Sequence, residues 1–87
     1  MIDFRFLYEM DIPHRAVAVY QYLFFRANED GQCWPSVPRI ARDIKLSERT
    51  VRRAIGELRE AGLIETEQQY RMSGGKSSLL FTIVKKR

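Results

Sequence analysis

Cysteine and histidine each occur once in the 87 residues, as Cys33 and His14. A lone cysteine excludes an internal disulfide and a Cys-rich metal site, and a reducing, cytoplasmic setting is the default for such a chain. His14 has no second imidazole to work with, and Cys33 has no histidine beside it in sequence. Gly74-Gly75-Lys76 lacks the spacing of a phosphate-binding loop and falls between strand patterns instead of before a helix. No catalytic residue, metal ligand or cofactor is therefore expected, and the chain reads as a non-enzyme. No apolar run approaches the roughly 20 residues that cross a bilayer, so no membrane partner is expected. Residues 1–10 carry Asp3 and Glu9 and lack a small-residue cleavage site, so a signal peptide is not expected either. No internal repeat, linker or low-complexity segment is present.

What the chain does have is basic charge in an uneven distribution. Residues 1–38 set three arginines against five acids, a net of −2. Residues 39–53 set six basic residues against Asp43 and Glu48, a net of +4. Residues 54–87 carry a further net of +2. Such asymmetry suits a polyanion docking on one side, although a mildly basic surface would give the same totals. The length allows one small domain with a modest core.

The basic middle contains the most regular stretch, SERTVRRAIGELREAG from Ser47 to Gly62. Ser47 is a good N-cap, and Gly62 can adopt the left-handed conformation that ends a helix. Val51, Ala54, Ile55 and Leu58 recur at helical spacing, which predicts a helix over 47–61 with one inward stripe. Arg49, Arg53 and Gly56 then fall opposite the stripe, with Arg52 on the flank. Arginine can grip a guanine edge or a phosphate through two parallel hydrogen bonds, so this face suits a DNA groove. The duller alternative is a solvated surface with Glu48–Arg52 and Arg53–Glu57 ion pairs at i,i+4.

Around that helix the chain divides readily. Residues 1–12 alternate weakly and suggest an arm or a strand. A helix is expected over 13–28, with Pro13 in its first turn and Ala16, Tyr20, Leu23, Phe24 and Ala27 facing inward. Its far side carries Ala18, Tyr22 and Phe25, so a second partner is needed: the N-terminal arm or another subunit. Tyr22 and Phe25 are the candidate homodimer surface. Asn28–Gly31 is a turn signal. Trp34 is expected to plug the edge of the core, or else to anchor an interface. A short helix over 36–44, capped by Ser36, turns its Val37, Ile40, Ala41 and Ile44 inward. Beyond Gly62 the period becomes two, predicting strands within 63–84 joined by a Gly-Gly loop flanked by Arg71 and Lys76. The fold class expected is α+β: a three-helix core with a C-terminal β-hairpin wing.

Several segments together carry a resemblance: N-x-D-G at 28–31, W-P-S at 34–36, I-A-R-D-I at 40–44 and LSERTVRRAIGELREAGLI at 46–64. The chain resembles the winged helix-turn-helix superfamily over about Pro13 to Val84. Within it the chain is similar to the small domain of bacterial and phage replication-initiation proteins, the replisome-organiser and DnaD-like group. Ser47, Thr50, Val51 and Arg52 also match the S-x-x-T-V-R core of GntR-type regulators, which implies DNA contacts at Ser47, Thr50 and Arg52. Glu48 departs from that pattern, where arginine is usual. The partner expected is double-stranded DNA. Ser47, Arg49, Thr50, Arg52 and Arg53 would contact it from the helix, Arg39 and Lys45 would clamp phosphates, and Arg71 and Lys76 would do so from the wing. The rival expectation is a protein-docking module on the same scaffold. A third is that this is the front domain of a longer replication protein.

Overall fold

A computed structural model describes residues 4–69 and 78–84. Within these residues four helices come first: α1 (Arg5–Glu9), α2 (His14–Arg26), α3 (Val37–Ile44) and α4 (Glu48–Glu60). Three strands accompany them: β1 (Gln32–Cys33), between α2 and α3, then β2 (Ile64–Gln69) and β3 (Ser78–Ile83). The strands form one antiparallel sheet in the order β1-β3-β2.

Helix α4 forms where its pattern placed it. The Ser47 hydroxyl accepts the Thr50 amide at 3.1 Å and closes the N-terminus. At the other end Gly62 takes φ 75°, its amide bonds Arg59 O at 3.0 Å, and the Leu63 amide reaches back to Leu58 O at 3.0 Å. This is the paired-bond helix stop, and Leu58 and Leu63 are both fully buried beside it. Val51, Ala54, Ile55 and Leu58 are all buried against the core, each large side chain contributing about 1.5–3 kcal/mol.

Helix α3 is capped by Ser36, whose hydroxyl accepts the Arg39 amide at 3.2 Å. It ends on Lys45, which adopts the left-handed conformation at φ 61°. The Leu46 amide bonds Ala41 O at 3.0 Å, and Ser47 starts the next helix. Two helices and a three-residue turn are thereby locked together.

Residues 4–12 are not the strand that their alternation allowed but an ordered arm covering part of α2. They contain a short helix, α1, laid along α2, because Leu7 reaches the core while Phe4 and Phe6 meet aromatic rings of α2 edge-on. Phe4 stands 5.4 Å from Phe24 and Phe6 stands 5.9 Å from Tyr20, centroid to centroid. Helix α2 buries Ala16, Val19, Tyr20 and Leu23. Pro13 is its N-cap, not a residue of its first turn.

The sheet has one strand more than a hairpin. Asn28 organises the turn, its side-chain oxygen accepting the amides of Asp30 at 2.9 Å and Gln32 at 3.1 Å. Gly31, at φ 74°, then lets the chain enter β1, which pairs Gln32 with Thr82 and Cys33 with Phe81. On the core side Ile64 lies opposite Ile83 and Thr66 opposite Phe81. Glu65 lies opposite Thr82 and Glu67 opposite Leu80 on the other side. The extended segment also settles Trp34. Cys33 and Pro35 turn inward and are buried, so Trp34 between them points out and is 58% exposed. It does not plug the core.

Candidate nucleic-acid interface

Seven of the nine residues expected to touch DNA lie in described segments, all on α3, α4 or the turn between them. Arg49, Arg52 and Arg53 are exposed along the outer side of α4, whose inner side is fully buried. Ser47 is exposed and Thr50 half-buried at the helix start. Arg39 projects from α3, and Lys45 stands exposed at the turn. Arg71 and Lys76, with the loop between β2 and β3 and the basic run at 85–87, lie outside the described residues.

Two ion pairs decide which arginines are held. Arg52 pairs with Glu48 one turn back at 3.5 Å, both well exposed, an interaction worth only a few tenths of a kcal/mol. A phosphate could replace it at little cost. The expected Arg53–Glu57 pair does not form. Glu57 instead accepts a two-pronged grip from Arg15 of α2: Arg15 Nε donates to Oε1 at 3.0 Å and Nη2 donates to Oε2. Arg53 and Arg49 have no ion-pair partner among the described residues. The Glu57 hydrogen bond and its negative charge push the Arg15 pKa up, securing the positive charge of the guanidinium. This tie fastens α4 to α2, a link that spans 42 residues and leaves no local signal.

At the helix start Ser47 donates to Thr50 Oγ1 at 2.8 Å while accepting the Thr50 amide. Both hydroxyls lie beside the amides and positive dipole of the first turn. Gly56 continues the exposed side, and a Cβ built there would meet nothing within 4 Å. A shallow groove beside it, of about 670 Å³, runs between α4 and β2 and carries Arg59, Glu60, Glu65 and Thr66.

A second polar group braces α3. Tyr22 donates its hydroxyl to Asp43 Oδ2 at 2.6 Å, and Arg39 approaches the same oxygen at 3.7 Å. The Tyr22 hydrogen bond holds the Asp43 carboxyl below its usual range, opposed by desolvation and helped by Arg39, Arg42 and Arg26. The Tyr22 phenol is raised, first by burial and then by Asp43. Tyr22 is thus half-buried against α3, whereas Phe25 is 70% exposed and touches Phe4 and Phe24 edge-on. Burial likewise raises the Cys33 thiol. Among the described residues, no three His, Cys, Asp or Glu side chains group as metal ligands would. No described helix is long and apolar enough to cross a membrane.

Helices α2, α3 and α4, with a tight turn before the last, and an antiparallel sheet in which β3 pairs with β2 and with the short β1, make a winged helix-turn-helix. The chain belongs to the helix-turn-helix domain family, whose model matches residues 11–64. A curated relative, Protein YmfN of Escherichia coli strain K12, is 39% identical over 62 residues. Those cover 71% of this chain but 13% of the relative, so the chain spans about an eighth of that protein's length. Among solved structures, one described as "Possible transcriptional regulator" from Methanosarcina mazei Go1 superposes with TM-score 0.67 and 20% identity, over 87% of this chain and 59% of that one. A MarR family regulator from Neisseria meningitidis gives 0.57 and 20%, over 92% and 50%. Lactococcus lactis ZitR, solved in complex with DNA, gives 0.54 and 21%, over 87% and 47%. At these identities the structural likeness establishes the fold.

Proposed function

We propose that this domain binds double-stranded DNA sequence-specifically, with α4 in the major groove. The observation that carries this reading is the division of α4: a fully buried apolar side and, opposite, Arg49, Arg52 and Arg53 exposed with at most one weak ion pair among them. Family membership supports it, as does a fold shared with a protein solved in complex with DNA. Arg49, Arg52 and Arg53 reach base edges and phosphates, Ser47 and Thr50 take a phosphate at the helix start, and Arg39 and Lys45 clamp the flanking backbone. Arg71 and Lys76 are assigned to the wing contact on their sequence position. The resemblance to GntR-type regulators favours Ser47, Thr50 and Arg52. The resemblance to replication-initiation proteins favours a role in loading a replisome, as the DNA-binding part of a longer protein; transcriptional control is the other use of the same contacts. A single small module buries limited DNA surface, so a homodimer through the α1–α2 side, with Phe25 at its centre, would raise affinity.

The test is a salt-titrated gel shift on duplexes selected from a random pool. Arg52→Ala combined with Arg53→Ala should weaken binding and flatten the plot of log K against log salt, by about 0.9 for each phosphate that is no longer neutralised. Unchanged affinity would remove α4 as the reading helix. Failure to shift any duplex, with salt-insensitive capture of a protein, would leave the docking-module reading in its place.

A further inference from the structure

A second surface lies away from the arginine row of α4. Between the end of α2 and the start of α3 is a cleft of about 530 Å³, walled by Trp34 and flanked by Arg26 and Arg39, with Pro35 and Ser36 at its base. Trp34 is the chain's only tryptophan and is 58% exposed, held outward by its buried neighbours Cys33 and Pro35. Arg26 lies 5.5 Å over the Tyr22 ring, and Arg39 is steadied by Asp43, so neither guanidinium hangs freely. Among the described residues, no carboxylate lines the cleft. The nearby Asp43 is outnumbered by Arg26, Arg39 and Arg42, all of which act on it.

We propose that this cleft docks an acidic segment of a protein partner, with an apolar side chain of that segment packed on the Trp34 indole and carboxylates on Arg26 and Arg39. Charge complementarity selects an acidic occupant. The indole selects a peptide over duplex DNA. A duplex presents phosphates and sugars outward and keeps its bases stacked, so it would satisfy the arginines and leave the indole in water. Tryptophan and arginine at the centre of a pocket are also the residues on which protein interfaces concentrate their energy. The proposal goes beyond DNA binding and shares only Arg39 with the surface assigned to it.

Trp34 makes its own reporter, since all tryptophan emission comes from the cleft. Random dodecapeptides displayed on phage are selected on the whole chain, and enriched sequences are synthesised and titrated. The expected result is enrichment of Asp and Glu around a Leu or Phe, and Trp-free members of that set should give a saturable blue shift of Trp34 emission. Labelled-peptide anisotropy should show affinity falling at least about tenfold in both Trp34→Ala and Arg26→Glu. Thermal melts confirm that these surface variants fold, and Arg26→Glu stands alone if Trp34→Ala does not. Peptides without acidic residues, equal binding to Arg26→Glu, or no enrichment would each overturn the proposal. So would an emission shift produced by oligothymidine, by duplex, or by raising the protein concentration alone, each of which assigns the cleft to that occupant. Neither Arg26 nor Trp34 belongs to the proposed duplex surface, so failure here leaves the gel-shift result standing.

Discussion

Gly56 is the one residue on the outer side of α4 whose side chain is missing, and the space where a Cβ would stand is open. Glycine inside a helix costs stability because the unfolded chain has more freedom to lose. Gly56→Ala should therefore raise the unfolding free energy by about 0.5–1 kcal/mol in urea titrations. If a DNA backbone approaches α4 closely there, the same variant should bind duplex less well while being more stable. Asp43 offers a second test. Its folded pKa lies below its unfolded value, so its contribution is present above the unfolded pKa and lost as pH falls through the folded one. Tyr22→Phe removes the main cause, and the Asp43 carboxyl should then titrate at higher pH, nearer the ordinary aspartate value of 3.8, in a carbon-detected NMR titration.

Among the elements, the turn between α3 and α4 fixes how the arginine row is aimed. Lys45 holds the left-handed conformation there, which costs a side-chain-bearing residue about 1–2 kcal/mol. Lys45→Gly should stabilise the fold by about 0.5–1 kcal/mol, because the greater freedom of unfolded glycine offsets part of the relief. It should also weaken duplex binding by removing a phosphate clamp. A rise in the urea midpoint with a loss in the gel shift is the expected pair of outcomes. Opposite signs in one variant would separate folding strain from DNA contact. The Arg15–Glu57 grip belongs with the turn, since it joins α2 to α4 where no local signal asks for it.

Across the molecule, acidic and basic residues segregate along the chain, and the basic excess of residues 39–53 lies on α3, the turn and α4. The opposite feature is aromatic: Phe25 at 70%, Tyr8 at 66% and Phe6 at 37% exposed, on α1 and α2. The proposed homodimer would use these exposed aromatics. Phe25→Glu should weaken self-association at least about tenfold in sedimentation equilibrium, at unchanged melting temperature, since Phe25 contributes little to the core. A wild-type chain that stays monomeric at high concentration would remove the homodimer.

Helix α4, its buried stripe and both of its caps, the α3–α4 pairing and the change to period two after Gly62 were all legible in the chain before any coordinates. They rest on interactions within a few residues, where spacing and capping chemistry are written directly in the order of side chains. The first twelve residues stayed undecided, because a short alternating stretch suits a strand as well as a helix until α2 supplies a surface for Phe4, Phe6 and Leu7. Packing was needed to show that Glu57 serves Arg15 and not Arg53, that Tyr22 spends its hydroxyl on Asp43, that β1 adds a third strand, and that Trp34 faces water. Each of these depends on a partner distant in sequence or on which way an extended residue points. Local pattern carries no information about a partner that folding has yet to bring near.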